Sequence, residues 1–224
     1  MKVVVLISAI AEWNAVKPLF LDAKIKQFPF GECFDILLQD EHISFFHSGW
    51  GKIASAGSMQ YVINKYSPDL IVNLGTCGGF QPEVHQGEVI LVEKTYVYDI
   101  VELMGDLDIV SYYATSLELS WLTEPYPYPI RRGTIASADS DLPPAKIPLL
   151  RSQGAIAADW ESAALAWVAQ RNNARLLILR GVSDMVSEEG GEAYNNIEMF
   201  HERARGIMQQ LVEQLPEWLN AVKL

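Results

Sequence analysis

The sequence predicts an α/β protein: one sheet, mostly parallel or mixed, with helices on both faces. Two observations carry this. Short β-branched runs such as Val3 to Ile7 and Leu70 to Leu74 read as strands buried on both faces. Segments with helical spacing alternate with them, which is the order of β-α units rather than of a bundle or a sandwich.

The elements follow in order. Val3 to Ile7 is the first strand. Glu12 to Gln27 has helical spacing, with Ala15, Val16, Leu19 and Phe20 on one side. Asp35 to Leu38 and Ile43 to His47 read as paired strands about a polar turn at Asp40-Glu41. A glycine-containing loop, Ser48 to Lys52, opens a helix over Ile53 to Tyr66, which Pro68 stops. The strand Leu70 to Leu74 ends in Gly75-Thr76-Cys77-Gly78-Gly79, read as a ligand-side turn. Gly87 to Val97 reads as a long strand, and Tyr98 to Ile130 as irregular and rich in Tyr, Pro and Leu. Arg132 to Ala138 returns as a strand and Lys146 to Gln153 as a short helix. A strand at Ala155 to Ala158 leads to a helix begun near Glu161, and a strand from Arg175 to Val182 leads to Ser183-Asp184. A terminal helix starts near Glu192. No repeat, low-complexity run or linker divides the chain, so residues 1–224 read as a single domain.

Composition narrows the function. Half the residues are apolar and the net charge is −11, with no basic run, which argues against nucleic acid or an anionic membrane as partner. No apolar stretch is long enough to span a bilayer, and the apolar N-terminal run is too short for a signal-peptide core. Two cysteines, Cys33 and Cys77, fit a reducing compartment, so a cytoplasmic protein is expected. The four histidines are scattered without metal-ligand spacing, and no Gly-x-Ser-x-Gly elbow is present. Neither metal nor cofactor is expected.

The candidate site gathers at strand ends. Glu12 follows the first strand, the glycine segment follows the Leu70 strand, Asp159-Trp160-Glu161 follows another, and Ser183-Asp184 follows the last. Each has an ordinary account: a carboxylate favoured by a helix dipole, a cap, a turn. Together they fall on the carboxyl edge of one sheet, where ligands bind. Carboxylates converging on one pocket suit glycosidic cleavage, which needs an acid for the leaving group and a polar anchor for the sugar.

The order Ser48-Gly-Trp-Gly-Lys-Ile53, Gly75-Thr-Cys-Gly-Gly79, Gly133-Thr-Ile-Ala-Ser137, Asp159-Trp-Glu-Ser-Ala163, Val182-Ser-Asp184 resembles the nucleoside phosphorylase/nucleosidase superfamily, most nearly the 5′-methylthioadenosine/S-adenosylhomocysteine nucleosidases. The resemblance runs from Met1 to about Phe200. It implies a three-layer αβα fold, a homodimer whose second subunit completes the site, and a place in methionine salvage. It implies roles as well. Asp184 protonates the purine at N7, Ser183 orients it, Glu161 holds the ribose hydroxyls and Glu12 activates water. Thr76, Cys77 and Gly78 lie against sugar and base. Trp160 stands where the family usually has Met, and its indole face suits stacking. Leu142 borders the base, preceded by Asp141 where the nucleosidases tend to have an aromatic. Asn73 occupies the place of a phosphate-binding arginine in the phosphorylases, so water is the expected nucleophile. A phosphorylase of the same fold and a non-catalytic nucleoside-binding homologue are the alternatives. Futalosine is a further candidate substrate.

Overall fold

The computed structural model describes residues 1–38, 41–105 and 108–223. Its strands are β1 (Val3–Ile7), β2 (Lys26–Phe28), β3 (Gly31–Leu38), β4 (Glu41–His47), β5 (Leu70–Phe80), β6 (Val89–Val97), β7 (Thr115–Ser116), β8 (Arg131–Ser137), β9 (Ala155–Asp159), β10 (Leu176–Ser187) and β11 (Gly190–Gly191). The helices are α1 (Ile10–Val16), α2 (Gly51–Tyr66), α3 (Ile109–Tyr112), α4 (Ile147–Ser152), α5 (Ser162–Arg171) and α6 (Ile197–Asn220).

All strands join one mixed sheet. β1 lies between parallel β4 and β5, with β3 and β2 continuing antiparallel beyond β4. On its other side β5 pairs with both β10 and β9. From there the ladder runs β10 to β6, β6 to β8 and β8 to β9, returning to β5. The sheet therefore closes on itself through β5, β10, β6, β8 and β9. Closure leaves no free edge in this part and brings the ends of distant strands around one opening.

Period-2 alternation assigns the two faces. In β1, Val3, Val5 and Ile7 join the core under α1 and α6, while Val4 and Leu6 join the core under α2 and α5. β5 divides in the same way, with Leu70, Val72 and Leu74 on one face and Ile71 on the other. Because both faces are covered, these strands are unbroken apolar runs in sequence. α6 contributes Met208, Leu211, Leu215 and Trp218 at helical spacing.

Several boundaries differ from the sequence reading. The Glu12–Gln27 helix is three pieces: α1, a 3₁₀ turn over Lys17–Leu19 holding Pro18, and strand β2. Pro18 has no N–H to continue the helical ladder. Gly75 to Gly79 is not a turn but the second half of β5, with Gly75 to Gly79 paired to β10 and Gly78 and Gly79 also to β9. Ser183-Asp184 lies inside β10 rather than at a helix start. α6 begins at Ile197, not Glu192, capped by the Asn196 side chain accepting from the Met199 N–H. Of the expected turn at Asp40-Glu41, Asp40 lies outside the described residues and Glu41 opens β4. Among the described residues no helix is long and apolar enough to cross a membrane.

Candidate active site

All nine residues singled out in the sequence border one cavity of about 840 Å³. Glu12, Thr76, Cys77 and Gly78 lie on one side of it, Leu142, Trp160 and Glu161 on another, and Ser183 and Asp184 on β10.

Glu12 sits in the first turn of α1 and is buried. Its Oε1 accepts from the Thr76 N–H at 2.6 Å and the Thr76 hydroxyl at 2.8 Å, and its Oε2 from the Ala9 N–H at 3.2 Å. Burial raises its carboxyl above the ordinary value, against the opposing field of Arg180 and these hydrogen bonds.

Asp184 owes its aim to a β-bulge. β10 pairs with β5 in register up to Val182–Cys77, then skips Ser183 and resumes at Asp184–Gly78. An extra residue in one strand turns the following side chain. The Ser183 Oγ stands 2.7 Å from Asp184 Oδ1 and 3.2 Å from the Cys77 carbonyl, so the bulge also supplies the carboxyl's hydroxyl partner. Burial raises Asp184, with the Ser183 hydroxyl opposing. Burial lifts the Cys77 thiol well above its ordinary value, which keeps it protonated and unsuited to nucleophilic attack.

Glu161 occupies the N-cap position of α5 and accepts from the Gly51 N–H at 3.0 Å. Burial raises its carboxyl, and Asp159 adds to the shift. The same loop carries Trp50, whose ring stacks on Trp160 at 5.4 Å between centroids, an aromatic wall on the cavity. Leu142 presents its carbonyl to the Tyr194 hydroxyl at 2.7 Å. Asn73 does not border the cavity; its amide donates to the Leu6 carbonyl at 2.9 Å and serves the sheet.

The sequence reading counted Asp159 in the acidic cluster but gave it no role, and it left Arg180 out of the site. Arg180 lies on β10 and is 1% exposed. Its Nε donates to Asp159 Oδ2 at 2.8 Å, and both terminal nitrogens are buried without a partner. Asp159 is fixed in turn, its Oδ1 accepting from the Ser137 hydroxyl at 2.6 Å and its other oxygen from the Ser162 hydroxyl. Only a glycine permits this placement. A Cβ on Gly75 would lie 2.2 Å from Arg180 Nη1 and 3.1 Å from Glu12 Oε1. The guanidinium thus fills the space beside a glycine and faces the Glu12 carboxyl. A signal was present in the sequence: one arginine inside the apolar run Leu176 to Val182. Trp50 and Tyr194 carried none, because their roles depend on partners remote in the chain.

The profile of the phosphorylase superfamily matches residues 22–216. The chain is 26% identical over 197 residues to a 5′-methylthioadenosine/S-adenosylhomocysteine nucleosidase of Anoxybacillus flavithermus, covering 82% of this chain and 84% of that one. It is 26% identical over 179 residues to the enzyme of the same name from Bacillus subtilis, covering 74% and 76%. Among solved structures, the Streptococcus pneumoniae MTA/SAH nucleosidase with 8-aminoadenine superposes with a TM-score of 0.79 at 19% identity, over 99% of this chain and 100% of that one. A futalosine hydrolase mutant of Helicobacter pylori superposes at 0.81 and 15% identity, over 97% and 100%.

The raised carboxyls make the site a cost to stability. A carboxyl with a raised folded-state value contributes fully below its unfolded value, and the contribution is lost as pH rises through the folded one. Glu161→Gln removes that loss and keeps an oxygen for the Gly51 N–H. We expect the variant to melt higher than the parent at neutral pH, the difference vanishing near pH 4. A gain of about 1 kcal/mol would read as roughly 2–4 °C in calorimetry. A lower melting temperature at neutral pH would show that the ionised Glu161 stabilises the fold.

Proposed function

The chain belongs to the phosphorylase superfamily, and on that premise we propose that it is a purine nucleosidase. It hydrolyses the N-glycosidic bond of 5′-methylthioadenosine, S-adenosylhomocysteine or a closely related nucleoside. The observation that carries this reading is the charge of the cavity. The cavity is bordered by Glu12, Asp141, Asp159, Glu161 and Asp184, with Arg205 at its outer end, while Arg180 does not border it and has its Nε committed to Asp159. A phosphate dianion would meet more carboxylate than cation and would lose its hydration without adequate pairing. Water meets no such obstacle.

The residues divide the work. Asp184 transfers its proton to N7 of the purine, so that the base leaves as a neutral molecule when the bond from C1′ to N9 breaks. The Ser183 hydroxyl steadies the carboxylate that remains. Positive charge developing on the sugar is favoured by the surrounding carboxylates. Glu161 receives the ribose hydroxyls. Glu12 accepts a proton from the attacking water, whose oxygen bonds to C1′, while the buried Arg180 acts on Glu12 through its field. Raised values serve both proton-transfer groups, since a general acid or base works best near the operating pH. Trp160 and Trp50 wall the sugar, and Thr76, Cys77, Gly78 and Leu142 shape the remainder. The surroundings suit a cytoplasmic enzyme of methionine salvage.

Arg180 is the observation that favours a phosphorylase of the same fold. The deciding experiment incubates the protein with a nucleoside panel, with and without phosphate, and identifies base and sugar by chromatography. We expect turnover in phosphate-free buffer, no acceleration by phosphate and a free sugar product. A sugar 1-phosphate formed at a phosphate-dependent rate would assign Arg180 to phosphate and overturn the hydrolase.

Asp184→Asn preserves shape and removes the proton. We expect kcat to fall by on the order of 10²–10⁴-fold with ligand affinity nearly intact. In the parent, kcat/KM should decline on the acid side as Glu12 is protonated and on the alkaline side as Asp184 ionises. Both limbs should lie above the ordinary carboxylate range, because burial raises both groups. Near-native activity in the variant would reduce Asp184 to a structural residue.

A homodimer belongs to the same reading. Val101, Leu103 and Met104, with Trp50 and Ile53, are exposed apolar side chains of the size that marks contacts. Sedimentation equilibrium at micromolar protein should return twice the chain mass; a monomer would refute it.

A further inference from the structure

Charged residues outside the cavity tie its walls together. Lys52 lies in the first turn of α2, Asp99 just beyond the end of β6 and Asp139 just beyond the end of β8. None of them borders the cavity, yet each stands close in the chain to a residue that does: Trp50, Tyr98 and Ser140. The Lys52 ammonium pairs with Asp99 Oδ1 and lies 3.5 Å from Asp139 Oδ2. The Lys52 N–H donates to Asp139 Oδ1 at 2.7 Å, and the Asp139 N–H donates to Asp99 Oδ2 at 2.9 Å. Both oxygens of each carboxylate are thereby engaged. The Lys52 and Asp99 side chains are 16% and 21% exposed, so water screens their pairing less than that of an open surface pair. Against the cost of burial, Lys52 and the Asp139 N–H hold Asp99 below the ordinary carboxylate value.

This latch sits where the ribose anchor is held. Trp50, the N-cap of α2, supplies no side-chain cap. The first N–H groups of the helix donate instead to carboxylates remote in the chain, Gly51 to Glu161 at 3.0 Å and Lys52 to Asp139. Consecutive N–H groups of one helical turn are not aimed independently. A Cβ on Gly51 would lie 2.8 Å from Asp139 Oδ1, and its φ of +80° also favours glycine, so Asp139 approaches where only glycine allows it. Trp50, one residue earlier, stacks on Trp160, the neighbour of Glu161. The contacts to Glu161 and to Trp160 thus both come from the segment that Lys52 anchors.

We infer that Lys52 is a positioning residue, whose ion pairs with Asp99 and Asp139 keep the Gly51 N–H aimed at Glu161 and so fix the carboxylate that receives the ribose hydroxyls. The inference rests on the nucleosidase reading of Glu161 and extends it to residues that do not touch substrate. Without the ammonium, Asp99 and Asp139 face each other as uncompensated like charges. Their two segments then separate, and the Lys52 N–H loses its acceptor as Asp139 withdraws. The start of α2 is freed, the Gly51 N–H leaves Glu161, and the hydroxyls meet a less ordered acceptor. The acid Asp184, held on β10 by Ser183, keeps its place. The loss therefore falls on recognition of the sugar.

The readout is a ratio: kcat/KM for 5′-methylthioadenosine over kcat/KM for its 2′-deoxy and 3′-deoxy analogues. It does not depend on the fraction of protein that folds, so a purely structural loss leaves it unchanged. Lys52→Met should lower it by about three- to tenfold for at least one analogue, the span of one net hydrogen bond. Asp99→Asn weakens the latch from its other end and should lower the ratio in the same direction. The double variant should lose no more than the larger single loss, because one latch is broken once. Where Lys52→Met yields no folded protein, Asp99→Asn decides alone. An unchanged ratio in either folded single variant, or additive losses in the double variant, overturns the inference. Hydrolysis of none of these nucleosides by the parent would instead count against the nucleosidase reading. Titration calorimetry with the same compounds then decides the latch: a preference for the ribose compound that weakens in the variants supports it, and an unchanged preference refutes it.

Discussion

The buried pair of Arg180 and Asp159 is the constraint on which the site depends. A guanidinium that is 1% exposed has left water at a large cost, and Asp159 at 2.8 Å with the Ser162 hydroxyl at 3.1 Å, both on Nε, do not recover all of it. The surroundings show how the remainder is offset. Ser137 and Ser162 hold Asp159, Gly75 makes room for the guanidinium, and the carboxylates of Glu12 and Glu161 lie within its field. The two unpartnered nitrogens are the uncompensated part.

That arrangement exists because the sheet closes. β5 pairs with β1 along its first half and with β10 along its length, and its glycine-rich half also meets β9. Its backbone is fully engaged and rigid. Side chains from neighbouring strands occupy the space that glycine leaves, Arg180 beside Gly75 and Val186 beside Gly78. The irregularity of the β5–β10 ladder, at Ser183, redirects Asp184 toward the cavity. Rigid strands with a single bulge hold catalytic groups more exactly than a loop could.

Charge gives the site its chemistry and its strain. Glu12, Glu161 and Asp184 are each raised chiefly by burial. Raising a carboxyl moves it toward the operating pH, which suits both an acid that donates a proton and a base that accepts one. The same excess of carboxylate that disfavours phosphate suits a sugar gaining positive charge. At the outer end the sign reverses at Arg205, so one cavity offers an anionic floor and a cationic rim.

The amino-acid sequence by itself determined the class of fold, the order of most elements and the residues that border the cavity. Those properties are local. Period and run length report burial on one face or two, and the acidic residues stand beside the strands that carry them. Tertiary structure alone decided that Gly75 to Gly79 is strand rather than turn, because its ladder partners, β9 and β10, begin some eighty or more residues away. It decided that Ser183 is a bulge, that Arg180 faces Glu12, that Trp50 stacks on Trp160 and that Asn73 serves the sheet. Each is a pairing between segments remote in the chain. A residue's type fixes what it can bind; only closure of the sheet fixes which partner it meets.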